Sequence, residues 1–330
     1  MEATAKQVQK EVKQAPKPVP KKKLIKWQKP NLHVVYALIP ASIASIYYFG
    51  WRSLLILAVV NLAGFLTEYL FLRAYYKEPV TSAVFVSSFI YTLSLPPTIP
   101  VWIAVVGIVF GITIGKMAFG GFGRNIFNPA MTGRAFVYVS FGGPLTAAWV
   151  EHIGGAPGGF GQYAADVITK ATPMARIIEG LDVSRWTMFL GNESGCLGET
   201  SALLLLLGGI YITWRKFASW RIVLSVFLGM LIPQTIFWMA GLGKAIDPLS
   251  AVLGGGFMMG AWFIATDPVS AAQTNPGRFV YGALIGATIS LIRVFSIWSG
   301  AVMFAVLLGN MFNPIVDYYV KQRKKKGVAT

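Results

Sequence analysis

The sequence predicts an all-α, polytopic integral membrane protein with about ten transmembrane helices, some short or broken, and a transporter-like internal repeat. Three observations carry that prediction. Mean hydropathy is +0.59 with only 13% charged residues, too apolar for a surface that faces water. Long apolar runs follow one another from residue 32 to residue 319. Basic residues fall into every second connection, as cytoplasmic loops require.

The runs at 32–50, 53–72, 222–242 and 296–319 approach or exceed the roughly 20 residues that a helix needs to cross hydrocarbon. Those at 80–95, 99–115, 127–141, 201–214, 251–266 and 279–293 are shorter, and "LPPTIP", "GGFGRN" and "GGGFMMG" flank or interrupt them. Helices that stop short or break survive in a bilayer only where protein or a cavity satisfies the freed backbone groups.

With a lysine-rich N-terminus inside, Arg73, Lys77, Lys116, Arg124, Arg215, Lys216 and Arg221 all fall on the cytoplasmic side. The segment 142–199 then lies outside, with six acids against three basic residues. Both termini are expected in the cytoplasm. Much of the net charge of +16 is terminal, since nine lysines lie within residues 1–30 and five basic residues within 321–326. Tails held at an anionic membrane face explain that pattern, and no nucleic acid is needed. The expected organisation is a disordered basic arm over 1–30, a transmembrane domain over 31–320 and a basic cytoplasmic tail over 321–330. No cleavable signal peptide is expected, because the first thirty residues have no apolar core.

A short pattern recurs. "EPVTSA" at 78 precedes "NIFNP" at 125, and "DPVSA" at 267 precedes "NMFNP" at 310, with 50 and 46 residues from acid to second asparagine. Two related helix pairs around a shared site is one reading, and Asn-Pro as an ordinary helix start is the other.

The chemistry of soluble enzymes is missing. There are two histidines and no HExxH, CxxC or Walker lysine motif, and no metal site is expected. A single cysteine, Cys196, excludes an intrachain disulfide. Charges inside apolar spans are more informative, because each needs a partner or water. Glu68, Arg134 and Arg293 are such groups, and Asp267 sits at the mouth of a span. Glu68 and Asp267 are the candidates for cation transfer; an ion pair for Glu68 and a helix cap for Asp267 are the competing readings. Thr169 or Thr172 in "DVITKATPM" (166–174) could cap a helix that begins at Pro173, and Asn125 and Asn128 could cap the next one.

"DVITKATP" resembles the flavin-attachment signature of membrane subunits in the NqrB/RnfD family, and "NIFNPAMTGRAF" and "ATDPVSA" are similar to that family as well. The likeness extends over almost the whole chain after residue 30. It implies that Thr172 carries FMN through a phosphoester, with Asp166 and Thr169 shaping the segment that a flavin transferase recognises. It implies a non-covalent riboflavin too, for which Asn125 and Asn128 offer amides. The modest length and short arm resemble the D subunit of an Rnf-type complex, a ferredoxin:NAD oxidoreductase that moves Na+ or H+ across a bacterial or archaeal cytoplasmic membrane. Iron–sulfur and flavin subunits would be its partners. The B subunit of a Na+-translocating NADH:quinone oxidoreductase is the alternative, and a flavin-free channel or secondary transporter is the reading outside redox chemistry.

Overall fold

A computed structural model describes residues 24–146, 149–165, 171–199, 201–296 and 301–326, the side chains of the last three excepted. Ten helical segments stand where the sequence places them. They are α1 (Lys29–Phe49), α2 (Arg52–Phe71), α3 (Ala83–Leu93), α4 (Val101–Gly115) and α5 (Pro129–Ser140), then, after a short α6 (Pro173–Ile178), five more. The later ones are α7 (Ala202–Trp214), α8 (Trp220–Met239), the broken pair α9 (Pro248–Leu253) and α10 (Phe257–Met259), α11 (Asn275–Phe295) and α12 (Ala301–Lys326). Among the described residues six helical segments are long and apolar enough to cross a membrane, and α3 and α7 are apolar but short.

Helix starts follow one local rule. Asn128, Thr172, Asp247 and Thr274 each accept a backbone N–H through the side chain, with proline at the first or second helical position. The side chain satisfies a donor that the first turn leaves open, and proline has no N–H to leave unsatisfied. Between α9 and α10 the chain runs through Gly255 and Gly256, both with positive φ, so the glycine run breaks this crossing in two.

The connections sort into two ends. At one, the segment after α5 covers the α1–α2 turn, where Gln162 and Tyr163 carbonyls accept from Trp51 and Arg52 N–H at 3.1 and 2.7 Å. It also closes the α3–α4 turn, since Leu197 N donates to Leu95 O at 2.9 Å. At the other end, β1 (Ile25–Lys26) pairs in parallel with β2 (Val80–Thr81), and Asn128 meets Asp267. We call these the loop end and the terminal end.

Two details differ from the sequence reading. Ile25 and Lys26, within the expected loose arm, are tied to β2 because the short edge before α3 offers unpaired backbone groups. The basic residues 321–326 continue α12.

The two halves share a packing order: α2 packs on α4 and α4 on α5, as α8 packs on α11 and α11 on α12. Five crossings per half invert the second half relative to the first. Helix order therefore carries the duplication better than the short motifs do. Asn128 begins α5, whereas Asn313 and Pro314 lie inside α12.

The α8–α11 contact depends on small residues. A Cβ on Gly229 would stand 2.5 Å from Ala283 O, and one on Gly286 would meet Val226 O and stand 2.6 Å from Met230 N. In lipid, helices associate by such close backbone approach rather than by hydrophobic driving force. Gly286→Val is expected to separate these helices and lower the thermal aggregation midpoint of detergent-solubilised protein sharply, whereas Leu291→Val on the exposed side of α11 leaves it within error.

Candidate functional site

At the loop end lies a cavity of about 370 Å³. That falls in the roughly 300–1,000 Å³ range of small-molecule sites. Thr172, Met174 and Ile178 from α6 and its cap form one wall, and Arg134 and Tyr138 from α5 another. Cys196, Glu199, Leu253, Arg293 and Val302 complete much of the rest.

Thr172 is half-buried and caps α6, its Oγ1 accepting from Ala175 N at a long 3.4 Å. The segment that carries it is fixed from the side. Ser194 Oγ donates to Ala171 O at 2.9 Å, and Arg176 pairs with Glu193, which also accepts from Thr187 Oγ1 at 2.7 Å. Met174 packs toward Gly254, where a Cβ would stand 2.9 Å from its sulfur. The threonine is thus held against the break between α9 and α10. Asp166 and Thr169 lie outside the described residues.

Two charges expected inside the spans face this cavity. Arg134 Nη1 stands 3.2 Å from Glu199 Oε1, and its Nη2 is 3.6 Å from Cys196 Sγ. Burial pushes the Cys196 thiol well above its ordinary range; Glu199 adds to the shift and Arg134 opposes it. The thiol therefore stays protonated near neutral pH and is a poor nucleophile. Arg293 donates to three carbonyls, Ala251 at 2.6 Å, Gly254 at 3.1 Å and Gly255 at 2.8 Å, all at the end of α9. A guanidinium suits that place, because these carbonyls have lost their helical partners.

At the terminal end, Glu68 is 1% exposed and forms an ion pair with Lys116 at 2.6 Å. Its other oxygen accepts from Thr81 N at 3.2 Å and Thr81 Oγ1 at 2.9 Å, and Lys116 also donates to Thr81 Oγ1 at 3.1 Å. Asp267 accepts from Ser270 Oγ at 2.9 Å, Val269 N at 3.1 Å and Asn128 Nδ2 at 3.3 Å. Asn128 N donates to Asn310 Oδ1 at 3.0 Å, so the "NIFNP" and "NMFNP" segments touch. Asn125 donates to Phe127 O at 3.0 Å within its own turn.

The cavity beside these groups measures about 50 Å³ and is lined by Asn31, Lys116, Asn125, Asn128 and Asp267 among others. Water needs on the order of 10–15 Å³ of such space. The space as it stands is close to the size of water, and the Asn128 amide caps α5 and reaches Asp267. His33 is held by Tyr211 at 2.6 Å and stacked on Phe217, as an interfacial residue. Among the described residues no group of three or more His, Cys, Asp or Glu side chains could hold a metal.

Sequence reasoning missed Lys116, counted as a loop charge although it is 2% exposed. It also missed Glu199, counted only among the six acids of the outside loop, and the place of Cys196 beside Arg134.

Residues 17–326 match the model of the NQR2, RnfD, RnfE family. The chain belongs to that family. It is 37% identical over 278 residues to the B subunit of the Na+-translocating NADH-quinone reductase of Azotobacter vinelandii, covering 82% of this chain and 67% of that one. The same subunit of Pseudoalteromonas atlantica is 38% identical over 284 residues, with the same shares covered. That of Klebsiella pneumoniae strain 342 is 36% identical over 310 residues, 84% of this chain and 72% of the relative. These relatives favour the quinone-reductase alternative over the Rnf-type reading, which rested on overall length and a short arm. Length is a weak guide, because an arm outside the helical bundle can change without altering it.

The Glu68–Lys116 pair makes a direct expectation. Removing one partner of a buried pair leaves a bare charge, at a cost of roughly 3–5 kcal/mol, whereas apolar replacement of both is often neutral. Glu68→Met is therefore expected to reduce the yield of folded protein severely, and Glu68→Met with Lys116→Met to recover most of it, measured by size-exclusion chromatography in detergent.

Proposed function

We propose that this chain is a membrane subunit of a redox-driven, Na+-translocating NADH:quinone-reductase-type complex, and that it carries FMN on Thr172. The observation that supports this best is a half-buried threonine hydroxyl on the wall of a cavity of about 370 Å³, large enough for a ring system. Bound FMN would supply a carrier that accepts and passes on electrons. The chain's part is to hold it. Met174, Ile178, Leu253 and Val302 keep water from the ring, while Arg134, Lys244 and Arg293 face Glu179, Glu193 and Glu199 around it. NADH oxidation and iron–sulfur transfer are assigned to partner subunits, because this sequence has no motif for either. A flavin transferase is required for maturation. A non-covalent riboflavin at Asn125 and Asn128 is part of the same reading, and would take the Asn128 amide from Asp267.

Glu68 and Asp267 are our candidates for the cation route at the terminal end. Glu68 is buried and Asp267 half-buried; Asp267 and Lys116 line a water-sized space, and Lys116 stands where a cation would compete for Glu68. Glu68→Gln alone would strand Lys116, so the sodium dependence of electron transfer is best read in Asp267→Asn, which leaves the ion pair whole.

The flavin assignment predicts an intact mass above the sequence mass by one FMN moiety after co-expression with the transferase, and fluorescence of the denatured band. Thr172→Val is expected to abolish both and leave the protein in the membrane. A Thr172→Val protein that still carries FMN removes the assignment, and a wild-type chain without FMN favours the flavin-free transporter.

Orientation follows from charge. The terminal end carries Arg73, Lys77, Arg124, Arg215, Lys216 and Arg221, which supports assigning it to the cytoplasm. A cysteine at Gly154, where an added Cβ meets nothing within 4 Å, should react with an impermeant thiol reagent in whole cells. One at the exposed Arg215 should react only after lysis. Native Cys196, 1% exposed, contributes little background.

A further inference from the structure

Arg134 carries an unmade bond. Two of its nitrogens are engaged by Glu199 and Cys196, but the buried Nε has no hydrogen-bond partner among the described residues. Its side chain is 11% exposed and lines the same cavity as Thr172. A buried donor left without an acceptor costs on the order of 1–3 kcal/mol, so the site suits a ligand that presents an oxygen or a bare ring nitrogen. The cavity also has apolar lining, with Met174, Ile178 and Val302.

A flavin ring has that polarity, with carbonyl oxygens along its pyrimidine edge and methyl groups at the other. We propose that Arg134 receives the pyrimidine edge of the flavin on Thr172, donating its Nε–H to a ring acceptor there, and thereby raises the flavin's reduction potential. The inference rests on the flavin assignment above. Reduction places negative charge on that edge, and a guanidinium held in a low-dielectric pocket favours the reduced form. Glu199 limits the effect by balancing the charge, and it also fixes the guanidinium. Its own position is set by Gly256, where any Cβ would collide with the Glu199 carboxylate. Arg134 keeps its proton throughout; the electrons come from and go to partner carriers.

The test uses full-length protein co-expressed with the flavin transferase, with FMN content read by intact mass and potential by spectroelectrochemical titration. Glu199→Met with Arg134→Met removes the pair without stranding a charge. We expect it to retain FMN and to shift the oxidised-to-reduced ratio at fixed potential at least tenfold toward oxidised, about 30 mV for a two-electron couple. Arg134→Lys, which keeps the charge but not the donor geometry, should fall between that variant and wild type. If the double variant fails to fold or to take up FMN, Arg134→Lys decides alone. An unchanged or raised potential in flavinylated protein overturns the role of Arg134 and leaves the flavin assignment standing. A wild-type chain without FMN overturns both.

Discussion

Hydrocarbon offers no partner to a charge or to a freed backbone group, and this bundle is organised by the need to find partners within the chain. Glu68 is answered by Lys116, which follows α4, and Arg134 by Glu199 from the segment before α7. Arg293 of α11 is answered by the carbonyls at the end of α9. Each contact joins elements far apart in sequence. The break between α9 and α10 would leave acceptors bare without Arg293, and that break forms part of the wall against which Thr172 is held.

The terminal end solves the same problem with amides and hydroxyls. Asn128 caps α5, reaches Asp267 through its side chain and Asn310 through its backbone, while Asn310 in turn donates to Ser270 O and Tyr281 Oη. Asp317 accepts from Gln273 N, Thr274 N and Thr274 Oγ1, which ties α12 to the start of α11. A network in which polar groups are largely matched fixes one geometry, because any shift leaves a buried group unsatisfied. The two ends differ accordingly: one is filled to the scale of water, and the other keeps room for a ring.

The apolar runs made the ten crossings legible, and the proline and glycine clusters marked where they stop or break. Charges within the runs were legible as anomalies, and all three have internal partners. Their partners were not legible, since nothing in the spacing links Glu68 to Lys116 or Arg134 to Glu199. Lys116 read as a loop residue because it ends an apolar run, and Glu199 only as one acid of a long outside loop because it lies beyond any apolar run. The β1–β2 pairing was hidden for a different reason: two residues per strand leave no periodicity to read. Thr172 stood out through family likeness; its capping role alone would not have separated it from Thr274.

The closure of the α3–α4 turn bears on how the chain is made. Helix α3 has eleven residues, which at ~1.5 Å each reach only about half of a hydrocarbon layer ~30 Å thick. It is too short to span the layer alone, and is suited to enter it as one arm of a hairpin with α4. Even then its last carbonyls stay bare, because Leu93 O and Leu95 O accept from Gly198 N and Leu197 N, about a hundred residues later. The third crossing therefore gains its last partners only once residue 198 has been made. Until then the nascent protein holds a helix end whose last acceptors have no partner within the chain.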